Sequence, residues 1–247
     1  GTIYNNIGKL FKNNGTLELN NISIYSVDKN SYNGTNFLKN RIIENNNELK
    51  INKLNTNITT SAEAIYNNEN ATITINDSTL GLDAKIVNDN IMNVNNTTIN
   101  GGNLINNSGK TLNMDKSTAY MNVNNSGIYN SNGSSYTSSF SNNSAGNLTS
   151  TSDTFNGTIS NSGQTNLYEV IGNSSSNFGV TNNSSGIINM YSGTINSQIT
   201  NSNTSTLNIY DGTIKSRINN NDQSTVNLIG GTINSSFDSI VNNGTGT

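Results

Sequence analysis

The sequence predicts an all-β solenoid, a coil of short parallel strands in which each turn stacks on the one before. Three observations lead there. The stretch from Gly186 to Ser235 divides into GIINMYSGTINSQITNSNT, STLNIYDGTIKSRINNNDQ and STVNLIGGTINSS, which repeat every 19 residues. Met190, Ile209 and Leu228 hold one position of that repeat, and Ile195, Ile214 and Ile233 hold another. A fixed period of this length with constant apolar positions marks stacked repeats. Within a repeat, Leu207 and Ile209 alternate with Thr206, Asn208 and Tyr210, the period-two pattern of a strand with one face inward. Finally, apolar residues recur ten before the next rung's anchor, at Ile65, Leu104, Met121, Phe140, Val180, Ile199 and Ile218. Three inward positions per turn predict three strands per rung.

Composition agrees. Only 31% of the 247 residues are apolar and 11% charged, while about a quarter are Asn. Such low hydrophobicity can mean disorder, but disorder brings high net charge or abundant Pro. Here the net charge is −3 and Pro is absent. A thin rung needs few inward apolar residues, and stacked polar side chains satisfy one another along the axis.

The same composition narrows function. The chain has no Cys, His or Trp. Disulfides and thiolate metal sites are therefore excluded, and the usual neutral-pH general base is missing. With 12 Lys and Arg against 15 Asp and Glu, a nucleic-acid partner is not expected. No run approaches the roughly 18 apolar residues of a membrane-spanning helix, and no signal-peptide pattern opens the chain. It reads as a monomeric piece of a larger chain that does not itself insert in a membrane.

Taken in order, residues 1–47 form an irregular N-terminal cap and first rung with an insertion, and residues 48–247 the regular rungs of the same single domain. Leu10 and Phe11 are placed to shield the open end, as terminal repeats require. Leu19 and Ile24 open the repeat. A polar excursion over Ser26–Asn40 follows, with Phe37 and Leu38 tucked back on the stack. From Ile51 the anchors run Ile75, Val94, Met114, Ser131, Ser150, Leu167, Met190, Ile209 and Leu228, at intervals between 17 and 24 residues. Corner loops of variable length between constant strands produce that scatter, and ten or eleven rungs are countable.

Ser131 and Ser150 fall at nominal core positions, with Tyr129, Tyr136, Leu148 and Phe155 supplying bulk nearby. Over 126–163 two readings stay open: a narrower core, or a register slip of one residue that turns side chains over. The corners Asn106-Asn107-Ser108-Gly109, Asn124-Asn125-Ser126-Gly127, Asn142-Asn143-Ser144, Asn182-Asn183-Ser184 and Asn219-Asn220-Asn221 should stack about 4.8 Å apart, amide on amide. Their Asn-X-Ser/Thr triplets follow from composition and are not read as glycosylation sites.

The segments GTLELNNISI, ATITINDSTL, TLNMDKST, IINMYSGTI, TLNIYDGTI and TVNLIGGTI resemble the passenger regions of bacterial surface adhesins. The match is to autotransporter-type proteins and related pectate-lyase-like repeats, over most of residues 48–240. The resemblance implies a right-handed parallel β-helix displayed outside the cell, on a bacterial surface. It also implies a role as stalk, or as binding face for a glycan or protein of a host or partner cell.

β-Helices also carry polysaccharide lyases and hydrolases, whose sites gather several acidic residues with an Arg, Lys or His. Asp77, Lys116, Glu169 and Asp211 share one corner position here but belong to separate rungs, and Arg41 and Arg217 lie at opposite ends. No enzyme activity, catalytic residue, metal site or cofactor is expected.

Two outward columns remain. Tyr168, Tyr191 and Tyr210 follow the inward anchor on three successive rungs, with Asn189, Asn208 and Asn227 two positions earlier. Rings flanked by amides can hold sugars, the ring against the apolar sugar face. Stacked tyrosines can equally serve to stabilise the sheet. Thr79, Thr98, Thr118, Thr154, Thr194, Thr213 and Thr232 form the other column, which suggests ice binding as a minor alternative. Its partner rank of Gly81, Asn100, Tyr120, Asn156, Asn196, Lys215 and Asn234 is too mixed for that, and β-propensity accounts for the Thr.

Overall fold

A computed structural model describes residues 1–5, 10–26, 41–58, 63–173, 179–236 and 238–247. Most of the expected excursion, with Phe37 and Leu38, lies outside the described residues. Among those described, 31 strands join in one continuous sheet, and each strand runs parallel to its equivalents one turn before and after. The protein is a parallel β-solenoid.

Its first face is a column of inward anchors in unbroken register. Leu19 pairs with Ile51, and the column continues through Ile75, Val94, Met114, Ser131, Ser150, Leu167, Met190 and Ile209 to Leu228. The ten steps match the sequence reading residue for residue. On the second face Ile99, Ala119, Tyr136, Phe155, Gly172, Ile195, Ile214 and Ile233 follow one another. The third runs from Phe11 through Ile43, Ile65, Ile86, Leu104, Val123, Phe140, Ile159, Val180, Ile199 and Ile218 to Ile240.

Two expectations need correction. Val123, not Met121, occupies the third column between Leu104 and Phe140, because this 17-residue rung is shortened after the column rather than before it. Met121 is buried as well, beside the column. Phe11 is not a lid over the first rung. Its strand, Phe11–Asn13, pairs with Ile43–Asn45 as the third face of a rung in its own right.

Strand length varies with the corner. Thr16–Ser26 and Glu48–Ile58 run through from the first face to the second, whereas later rungs break there. From Asn21 to Glu169 that corner turns on a left-handed residue two places after the anchor: Asn21, Lys53, Asp77, Asn96, Lys116, Gly133, Ser152 and Glu169. After Met190 the positive φ moves one place on, to Gly193, Gly212 and Gly231, at 109°, 101° and 78°. Backbone carbonyls of the preceding rung lie where a Cβ would sit at all three, so only Gly fits. Asp211, placed by sequence in the same slot as Asp77 and Lys116, thus sits in a corner of a different kind.

Candidate binding face

On the first face the alternation that turns Met190 and Ile209 inward turns their neighbours out. Tyr168 and Tyr191 stack with ring centroids 4.6 Å apart and planes 3° from parallel, and Tyr191 and Tyr210 with centroids 4.9 Å apart at 5°. The spacing is that of the strands themselves, so the sheet sets the stack. Two positions earlier, Asn189 donates to Asn166 at 2.9 Å, Asn208 to Asn189 at 2.8 Å and Asn227 to Asn208 at 2.8 Å. All five candidate residues, Tyr168, Tyr191, Tyr210, Asn189 and Asn208, therefore line one face, but Asn189 is buried at 8% exposure beneath its neighbours and is not itself open to a ligand.

The geometry restricts what that surface can do. Rings at these separations leave no room for another group between them, so the inner ring faces are closed to a sugar. What is presented is a comb of ring edges and phenol oxygens beside a line of amides whose mutual hydrogen bonds are already made. The outer faces of the stack look along the column toward Thr151 beside Tyr168 and Ile229 beyond Tyr210, and Tyr210 is the most exposed of the three, at 40%. The Tyr191 phenol is shifted upward by lost hydration in the stack and then by Tyr168.

The threonine column is interrupted. Ser135 pairs between Thr118 and Thr154, and Ile171 between Thr154 and Thr194. The charged corner residues do not converge either. Asp77 accepts from Asn96 at 2.7 Å, Glu169 from Ser152 at 2.8 Å, and Asp211 from the Gly212 amide at 2.7 Å, each spent on a neighbour. A denser charged group lies at Arg41. Its guanidinium sits 3.3 Å from the Tyr66 ring centroid and its Nε donates to Glu63 at 2.8 Å. Tyr66 donates to Asp89, and burial with that contact pushes its phenol up to about 12.

The interior holds three features the sequence reading did not resolve. One amide per corner turns inward to form a buried ladder. Asn13 donates to Asn45, and the series continues through Asn67, Asn88, Asn106, Asn125, Asn142, Asn161, Asn182, Asn201 and Asn220 to Asn242, at 2.8–3.2 Å throughout. Every amide donates in the same direction, and its remaining hydrogen closes the corner on backbone carbonyls, as Asn106 does on Ile128 at 2.9 Å. Corner stacking was anticipated. The inward turn of one particular Asn was not, because adjacent Asn residues look alike in a sequence.

A second buried ladder is built from hydroxyls just after the first corner. The Leu54 amide donates to Ser78 at 3.0 Å, that of Ser78 to Thr97 at 3.3 Å, that of Thr97 to Ser117 at 3.0 Å and that of Ser117 to Ser134 at 3.1 Å. The Ser134 amide then donates to Asp153 Oδ1 at 2.6 Å. Asp153 is fully buried, and loss of hydration raises its carboxyl to about 6 against the hydrogen bonds from Ser150, Ser134 and Ser131.

The third feature settles the register of 126–163. Ser131 and Ser150 do point inward, and no slip occurs. Tyr129, Tyr136, Phe140 and Phe155 fill the space they leave. Tyr136 stacks on Phe155 at 4.8 Å, and Phe140 stands edge-on to Tyr129 at 5.0 Å and to Tyr136 at 5.4 Å. Ser131 Oγ lies 2.6 Å from the Tyr136 hydroxyl, and Ser150 donates to Asp153 at 2.5 Å. Burial drives both tyrosine phenols well above their ordinary range.

No protein-family model, no curated protein and no solved structure matches this chain.

Proposed function

We propose that this chain is a non-enzymatic, extracellular segment of a bacterial cell-surface adhesin, a rod that spaces and presents rather than transforms. The observation that carries the reading is the continuity of the interior: one strand register, the apolar third column and the asparagine ladder run the length of the described stack. Ten anchor steps at about 4.8 Å give a rod on the order of 50 Å long. The resemblance of its repeat phrases to adhesin passenger regions supports the cell-surface setting. Outside the group around Arg41, whose charges pair with one another, the acidic corner residues sit on separate rungs and are bonded to neighbours, which favours a scaffold over a reaction centre.

The binding edge, in this reading, is the Tyr168–Tyr191–Tyr210 comb with Asn208, backed by the buried Asn189, facing a glycan or protein of a host or partner cell. An extended chain would run along its hydroxyls. The test is a glycan array with a host-cell binding assay, comparing the chain with Tyr191→Ala/Tyr210→Ala. Loss of binding by a variant with unchanged circular dichroism supports the edge. Equal binding by that variant removes the edge and leaves the stalk. Turnover of an acidic polysaccharide by the purified chain would overturn the non-enzymatic reading.

A further inference from the structure

We propose that Asp153 makes the middle of the rod a pH-sensitive joint, closed when its carboxyl is protonated and loosened when it ionises. The inference starts from the hydroxyl ladder. Ser78, Thr97, Ser117 and Ser134 each accept a backbone amide from the rung before and give their own hydrogen to the carbonyl two residues earlier, at 2.7, 2.9, 2.8 and 3.3 Å. Each is thereby a neutral relay that both accepts and donates. Asp153 occupies the next place in this series and is the only carboxyl in it.

An ionised carboxylate accepts but has nothing to give. Protonated, Asp153 resembles the hydroxyls before it: neutral, with one hydrogen to donate. Among the described residues no positive charge acts on it, and only the hydrogen bonds from Ser150, Ser134 and Ser131 favour the anion. The preceding rungs face it with the neutral phenols of Tyr129 and Tyr136, with Ser131 and Ser134, and at longer range with the acidic Asp115. Its own rung contributes Ser150. The next rung presents Leu167 and Val170, both buried, while Glu169 is engaged by Ser152. A buried anion without a counter-charge is costly, whereas the neutral acid is not.

The sign follows. A carboxyl whose folded-state pKa lies above its unfolded value keeps more protons folded than unfolded between the two. Stability from this group is therefore full below the ordinary carboxylate value of 3.8 and is lost as pH rises through about 6. The loosening should centre on residues 129–167, where the aromatic cluster depends on the same rungs.

Segment-resolved hydrogen exchange on the whole chain at pH 4 and pH 7, corrected for the intrinsic pH dependence of exchange, tests this. Residues 188–218 serve as the internal reference. The opening constant of 129–167 should rise on the order of 50-fold relative to the reference, since each pKa unit between the states is tenfold. Asp153→Asn and Asp153→Ser should both flatten that response. The serine variant restores the side chain found at positions 78, 117 and 134. Overturning results are a wild-type middle that tracks the reference at both pH values, or variants that retain its response. Should neither variant fold, the wild-type comparison alone decides.

Discussion

The rungs over Gly186–Ser235 and those over residues 126–163 share one register but turn the first corner differently and enclose different cores. Near the C-terminal end the buried apolar residues are Ile188, Met190, Ile195, Ile199, Leu207, Ile209, Ile214 and Ile218, aliphatic apart from one thioether, with the buried polar groups confined, Asn189 aside, to the Asn and Ser of the corner. In the middle, two serines and a carboxyl sit at inward positions, and four aromatic rings take up the volume. Two large rings, Tyr136 and Phe155, also stand between the small Ala119 and Gly172 in the second column. Register therefore does not depend on an apolar residue at every inward place. The parallel backbone ladder and the asparagine ladder, which pass through both regions unchanged, hold it.

Breaking the ladder in the middle should be the most damaging single change. Asn142→Leu removes the ladder acceptor of Asn125, leaves Asn161 with only the Thr165 hydroxyl as donor, and strips the carbonyls of Gly146 and Gln164 of the amide that closes the corner. We expect a loss of about 3–5 kcal/mol in denaturant unfolding followed by circular dichroism. Asn242→Ala, at the exposed end of the same ladder, should cost under about 1 kcal/mol. Equal costs would mean that the ladder does not act as a buried network.

Core truncation sharpens the contrast. Phe155→Ala removes a ring from between Tyr136 and Gly172, where no neighbour in the column can refill the space, and should cost about 3–5 kcal/mol. Ile214→Val, in the regular aliphatic stretch, should cost about 1 kcal/mol. A tolerated Phe155→Ala would show that the middle repacks freely.

The corners differ by a smaller margin. Gly212→Ala places a Cβ 2.7 Å from the Gly193 carbonyl oxygen at a φ of 101°, and should cost about 1–3 kcal/mol. Lys116→Gly, at the equivalent turn of an earlier rung where φ is 46°, should instead be neutral or stabilise by up to about 1 kcal/mol. Thermal unfolding of the two variants side by side measures the difference. A stable Gly212→Ala would remove the claim that two corner types exist.

The anchors were legible because their signal is simple: one apolar residue per rung at nearly constant spacing. Ser131 and Ser150 were only nominal anchors: without an apolar side chain to mark the inward face, a one-residue slip stayed open, and only the strand pairing decides it. Met121 was misassigned for a different reason. Counting back from the next anchor carries any change in loop length into the third column, and both Met121 and Val123 are apolar and buried. The tyrosine comb was legible from alternation, but its closed inner faces were not, because ring separation depends on the sheet's spacing and on rotamers. Asp153 had no signature at all. Its burial follows from the hydroxyl ladder, which is visible only once the corners are superposed, and a lone Asp beside Ser and Thr reads as a turn.

The continuity of the asparagine ladder is tested most directly by exchange of the Asn side-chain amide protons in solution. The buried column, including Asn142 and Asn161 in the polar middle, should exchange slowly along the described stack, while outward asparagines such as Asn113 and Asn208 exchange fast. Fast exchange at Asn142 and Asn161 alongside slow exchange at Asn182 and Asn201 would contradict a single ladder shared by the two regions.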